Sequence, residues 1–192
     1  MISLDLSRAF DEVPRHALDA SLAYADVPAD LRLLIMQLHA HCHYTVMHKG
    51  QQGQFPMRKG VRQGCALSPL LFTVYTCHLY DVLASRTSVS WAQKAITMFA
   101  DDTHISWDIC SAADLRFLVA SIRTTFQTFA DFGMTLNPEK SKIIIKLRGG
   151  AARRWLKAHT QRTAKGPMLN LGNPHAPILR SEEHTSELQS QR

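Results

Sequence analysis

Ile2, Leu4 and Leu6 alternate with Ser3, Asp5 and Ser7, the period of a strand with one buried face and a carboxylate on the other. Phe10 and Asp11 follow as a turn, and Pro14 opens a helix predicted to reach about Tyr24. Pro28 and Asp30 start a second helix ending near His41. Its Leu31, Leu34, Ile35 and Leu38 recur at i, i+3, i+4 and i+7 and predict a core-facing stripe. Residues 44–47 and 54–57, flanking Gly50 and Gly53, predict a hairpin. Ser68 and Pro69 open a helix to about Ser85, with Leu71, Val74, Tyr75, His78 and Val82 on one face. Residues 95–99 and 103–107 predict two strands joined through Asp101 and Asp102. Ser111-Ala112-Ala113-Asp114 fits a capping box; Leu115, Leu118, Val119, Ile122, Phe126 and Phe129 then follow at helical spacing until Gly133. Residues 140–146 predict a last strand, and from Arg148 to Leu179 the chain becomes a basic, partly ordered extension rich in Gly, Pro and Asn.

Strands and helices interleave without regular βαβ spacing, which predicts an α+β fold: an antiparallel sheet with helices packed on one face. In that arrangement the end of the Asp5 strand can lie beside the Asp101-Asp102 tip. Asp is a common turn residue, so an ordinary hairpin accounts for that stretch taken alone. Two adjacent like charges are nevertheless unfavourable, and a divalent cation would relieve them. In Lys59-Gly60-Val61-Arg62-Gln63-Gly64 the two glycines free the backbone to approach a ligand, and Arg62 and Gln63 can hydrogen-bond phosphate or base edges. A glycine-rich loop that merely starts a helix reads the same way. His39, His41, Cys42 and His43 resemble a metal cluster, but a helix-to-strand passage scatters their side chains and no matching pair follows, so zinc is not predicted.

The net charge of +6 and pI of about 9.4 suit a polyanionic partner without specifying one. Cys42, Cys65, Cys77 and Cys110 lie far apart with no CxxC pair, which argues for a reducing, intracellular setting and against a disulfide framework. No apolar run approaches the length of a membrane span, so no membrane partner is expected. Strand-like sequence begins directly after Met1, which suggests a truncated reading frame. Residues 180–192 resemble the conceptual translation of a sequencing-library adapter; they are read as an artefact and expected to be disordered.

The motifs together resemble the reverse transcriptases of non-LTR (LINE-type) retrotransposons. Ser3-Leu4-Asp5-Leu6-Ser7-Arg8-Ala9-Phe10-Asp11 is similar to motif A. Gly60-Val61-Arg62-Gln63-Gly64 with Ser68-Pro69-Leu70-Leu71-Phe72 is similar to motif B, Phe99-Ala100-Asp101-Asp102 to motif C, and Gly133, Asn137 and Lys140-Ser141-Lys142 to motif D. The four stand in the family's order over residues 2–147. The resemblance implies a polymerase palm that extends a DNA primer on an RNA template with dNTPs. It implies two Mg²⁺ ions held by Asp5 and Asp101, with Asp102 beside them as a further catalytic carboxylate. By the same resemblance Phe10 gates against the sugar 2′-hydroxyl, Arg62, Gln63 and Gly64 contact nucleotide or template, and Lys140, with Lys142 next but one, protonates departing pyrophosphate or neutralises its charge. The family's fingers, thumb and endonuclease regions have no counterpart here, so a palm fragment, inactive alone, is expected. A non-catalytic palm that binds nucleic acid, or a palm-type nucleotidyl cyclase, is the alternative.

Overall fold

The computed structural model describes residues 1–40, 42–138, 140–146, 149–163, 166–169 and 179–181. In chain order the elements are β1 (Ile2–Asp5), α1 (Ala9–Glu12), α2 (Arg15–Tyr24), α3 (Ala29–Ala40), β2 (His43–His48), β3 (Gln51–Pro56), α4 (Ser68–Arg86), α5 (Val89–Ala95), β4 (Ile96–Phe99), β5 (Asp102–Ile105), α6 (Ala112–Asp131), β6 (Lys142–Ile143), α7 (Gly150–His159), β7 (Thr160–Thr163), β8 (Gly166–Leu169) and β9 (Leu179–Ser181). They fall into two compact units. The first holds residues 1–6, 83–128 and 136–192; the second holds residues 7–82 and 129–135.

The first unit is built on a sheet of order β4-β5-β1-β6-β9-β8-β7, antiparallel throughout except where β6 meets β9. Alternation sets its two faces. Ile2, Leu4, Thr103, Ile105 and Ile143 are buried on one, while Ser3, Asp5, Asp102, His104 and Lys142 stand on the other. Leu118 of α6 lines one hollow together with Ile2, Ile105 and Ile143, so α6 covers the apolar face. The capping box forms as its sequence dictates: Asp114 N–H donates to Ser111 Oγ at 3.1 Å, and Asp114 Oδ2 accepts from Ser111 N–H at 2.8 Å and Cys110 N–H at 3.0 Å. The Ser111 hydroxyl, followed by these amides, holds the Asp114 carboxyl below its ordinary range. Trp91 of α5, an unpredicted helix, meets Trp107 and Phe117 edge to face. The basic stretch contributes α7, β7 and β8. β9 takes in Arg180 and Ser181, so these two residues of the tail expected to be disordered pair with β6 and β8; residues 182–192 lie outside the described residues.

In the second unit, α2 packs on α3 and Arg32 bridges to Asp19 at 3.1 Å. Three expectations change here. Phe10 and Asp11 sit in the short helix α1, not in a turn. The α3 stripe is not core: Leu31, Leu34 and Leu38 are exposed, Leu38 at 60%, and only Ile35 of the four is buried, at 6%. The α4 face turned inward is Leu71, Phe72, Tyr75 and Leu79, whereas Val74 and His78 are half-buried. That helix is apolar nearly all round, so spacing alone does not choose its buried side. The β2–β3 hairpin forms with Lys49 and Gly50, both at positive φ, as its two-residue turn, and Gly53 lies within β3. His39 is buried and donates Nδ1–H to the Ile35 carbonyl at 2.9 Å, the usual fate of a core histidine. His41 lies outside the described residues.

Candidate active site

In the first unit the register of β1 and β5 places Asp5 directly opposite Asp102, Leu4 opposite Thr103 and Ser3 opposite His104. Residues so paired have Cα atoms about 4.5–5.5 Å apart and side chains on one face. Asp5 and Asp102 therefore share the polar face, where Lys142 sits opposite Ser3. Phe99 closes the same hairpin opposite Asp102 and is 79% exposed. Ala100 and Asp101 form the two-residue connection. Ala100 has φ 52°, a left-handed conformation costing a non-glycine residue of the order of 1 kcal/mol.

The backbone of Asp5 is clamped. Its N–H donates to the buried Ser141 Oγ at 3.0 Å, and its carbonyl accepts from Asn137 N–H at 2.9 Å. Sequence reasoning fixed on the lysines either side of Ser141 and missed the residue between them. A serine alternating with two lysines was the available signal, since it points to the face the lysines do not. Lys140 is exposed in a turn, its N–H donating to Asn137 Oδ1 at 3.3 Å, while Lys142 takes the strand position on the Asp5 face.

Among the described residues, none of Asp5, Asp101 and Asp102 is in an ion pair, and no three His, Cys, Asp or Glu side chains group closely enough to hold a metal between them. The three acids thus do not make a protein-only cage. Asp101 lies in the turn, and it is Asp102 that the ladder sets against Asp5. The donor set still fits Mg²⁺, which takes one or two carboxylates and completes its shell with phosphate and water. Two carboxylates opposite one another, with no ion pair among the described residues, are the right chemistry for that ion.

In the second unit the end of motif A meets the motif B loop. Val61 N–H donates to the Phe10 carbonyl at 2.7 Å and Gly60 N–H to the Val13 carbonyl at 2.8 Å. Only glycine permits this approach: Gly60 has φ 86°, and a Cβ there would lie 2.6 Å from the Asp11 Cα and carbonyl oxygen. Gln63 Nε2 donates to Asp11 Oδ1 at 3.0 Å, and Lys59 pairs with Glu12. Ser68 Oγ donates to the Arg62 carbonyl, fixing the loop to the start of α4. Arg62, Gln63 and Gly64 are exposed, and space above Gly64 is open. Asp11, Arg62, Gln63, His43, Tyr44 and Met57 line a hollow of about 630 Å³. Phe10 is half-buried and stacked on Phe72 with ring centres 4.2 Å apart, so its ring is held in one orientation. The contact of Asp11 with Gln63 escaped the sequence reading because the two stand 52 positions apart.

Residues 1–175 match the family model described as reverse transcriptase (RNA-dependent DNA polymerase). The chain is 30% identical over 145 residues to a retrovirus-related Pol polyprotein from type-1 retrotransposable element R2 of Popillia japonica, covering 73% of this chain and 23% of that protein. It therefore spans about a quarter of the length of that relative. The structure resembles apo telomerase from Candida tropicalis, truncated from its C-terminal domain, with a TM-score of 0.56 and 17% identity over 88% of this chain and 34% of that one. A second Candida tropicalis telomerase, in complex with a TWJ fragment of telomeric RNA, aligns at TM-score 0.49 and 19% identity over 78% of this chain and 26% of that one. With motifs A to D in order on a mixed helix and antiparallel-sheet palm, the chain belongs to the reverse transcriptase family, as a domain of the non-LTR retrotransposon type.

Proposed function

We propose that this domain is the catalytic palm of an RNA-directed DNA polymerase, acting with a DNA primer, an RNA template and dNTPs. The observation that carries the reading is the register of Asp5 against Asp102, two carboxylates on the polar face of one sheet with no ion pair among the described residues. Asp5 and Asp101 would hold two Mg²⁺ ions, with Asp102 beside them. When bound, the ions acidify the primer 3′-hydroxyl and neutralise charge on the leaving pyrophosphate. The 3′-oxygen attacks the α-phosphorus; the new P–O bond forms as the bond to pyrophosphate breaks. Ser141 and Asn137 keep the Asp5 strand end in place for that geometry. Phe10, braced by Phe72, rejects ribonucleotides by clash with the 2′-hydroxyl. Arg62, Gln63 and Gly64 contact nucleotide or template. Lys140 serves the pyrophosphate, and Lys142 is its competitor for that role.

The test is Mg²⁺-dependent dTTP binding by the 192-residue chain, followed by titration calorimetry. Asp5→Asn and Asp101→Asn are expected to abolish the metal-dependent part. Introduced into a longer polypeptide carrying this domain, Asp101→Ala is expected to abolish primer extension on RNA; full retained activity would falsify the assignment. Primer–template binding with no Mg²⁺-dependent turnover would favour a non-catalytic palm instead.

A further inference from the structure

From Arg148 to Leu179 the chain carries six Lys or Arg and no Asp or Glu. Part of that stretch folds as α7, whose Trp155 and His159 stack face to face with ring centres 4.3 Å apart. The His159 Nδ1–H donates to the Trp155 carbonyl at 2.9 Å, which holds the imidazole over the indole. Both rings are half-buried and keep part of their surface accessible. They line a groove of about 520 Å³ against α6, whose side is formed by Arg116, Arg123, Leu115 and Val119. Among the described residues no acidic side chain lines it, and Asp114, the acid nearest along α6, has its carboxylate occupied by the helix cap. Arg154 and Lys157 add exposed charge on α7.

Arg116 and Arg123 are exposed on the side of α6 away from the buried Leu118, Ile122 and Phe126. Leu118 faces the apolar side of the sheet, so the groove and the Asp5–Asp102 face lie on opposite sides of the first unit. The groove therefore cannot be part of the nucleotidyl-transfer site.

Cationic walls around an aromatic platform are the chemistry of single-strand recognition. Arginines neutralise phosphates, and an unpaired base extends the ring stack whatever its identity. An acidic peptide would satisfy the arginines and leave the rings without a role. We infer that the α6–α7 groove is a second, sequence-tolerant binding site for single-stranded nucleic acid, behind the catalytic face. This goes beyond the polymerase reading and does not depend on it.

Binding is measured by fluorescence anisotropy with the 192-residue chain and labelled homopyrimidine strands of about 20 nucleotides, one RNA and one DNA, between about 50 and 200 mM salt. The Arg116→Ala/Arg123→Ala pair is expected to weaken binding about tenfold and to reduce the salt slope by about 1.4. Trp155→Ala is expected to weaken it about tenfold with the slope unchanged, and Trp155→Phe to restore most of the loss. A difference between the RNA and DNA arms identifies the strand preferred, and both must respond to the variants. Should Trp155→Ala fail to fold by circular dichroism, photo-crosslinking of an iodouracil strand to the unaltered chain decides, with adducts expected on α6 and α7 peptides. Adducts confined to the motif B loop, unchanged affinity in the folded variants, equal competition by polyglutamate, or duplex binding indifferent to Trp155 would each overturn the inference.

Discussion

Helices α3 and α6 carry nearly the same apolar spacing and meet opposite fates. On α6, Leu118, Ile122 and Phe126 are buried, Leu118 beside the apolar Ile2, Ile105 and Ile143 of the sheet. On α3, Leu31, Leu34 and Leu38 are exposed, and burial passes to Ile35 and His39. The β2–β3 hairpin in the same unit also exposes Tyr44, Val46, Met47 and Phe55. Periodicity states that a helix has an apolar side; only a facing surface turns that side into core.

The largest effect separates the two helices directly. Phe126→Ala is expected to cost about 3–5 kcal/mol in urea unfolding, while Leu38→Ala costs less than about 0.5 kcal/mol. A large cost at Leu38 would show that the α3 stripe is covered in solution. Next, Gly60→Ala sets a Cβ against Asp11 at a φ reserved for glycine, and a loss of about 2–3 kcal/mol in the same assay is expected. Ser141→Ala leaves the Asp5 N–H without its buried acceptor and should cost about 1–2 kcal/mol. In a polymerase-competent polypeptide it should lower kcat more than it raises KM, with partial rescue by Ser141→Thr. Ala100→Gly, relieving a left-handed alanine, should raise stability by about 0.5–1 kcal/mol.

The smallest expected effect is one of pH. His78 Nδ1–H donates to Ser21 Oγ at 2.9 Å, the Ser21 hydroxyl itself donating to the Ala17 carbonyl, and the ring stacks on Tyr24, with Phe132 at its edge. Desolvation lowers its pKa below 6.5, against an opposing pull from Asp81. Its folded pKa is depressed, so its contribution is whole above about pH 6.5 and is lost as pH falls through the lower folded value. His78→Gln should flatten the fall in melting temperature over that acid range; an unchanged slope would assign the acid sensitivity elsewhere.

The side on which Asp5 stands was legible because alternation within a short strand is local: Asp5 had to share a side with Ser3 and oppose Leu4. The capping box at Ser111 was legible for the same reason. Asp102 as the residue facing Asp5 was not, because a one-residue change of register would have moved every side chain to the other face. Ser141 and Asp11 were missed because each acts through a backbone or side chain distant along the chain. Which of Lys140 and Lys142 stands on the Asp5 face of the sheet likewise needed the pairing of β6 with β1, which puts Lys142 there.

By itself, the order of residues determined that β1, the β2–β3 hairpin, the β4–β5 pair and helices α2, α3, α4 and α6 would form, though not α1, α5 or the elements after residue 148; it also determined where α6 begins, and that acids, a glycine loop and a basic stretch exist to be used. Those properties follow from forces acting over a few residues. Tertiary structure alone decided which apolar faces lose their water, which carboxylates confront each other, and that a tryptophan–histidine stack closes a groove against two arginines. Each of these is set by the free energy of surfaces meeting, and no stretch of chain carries the surface it will meet.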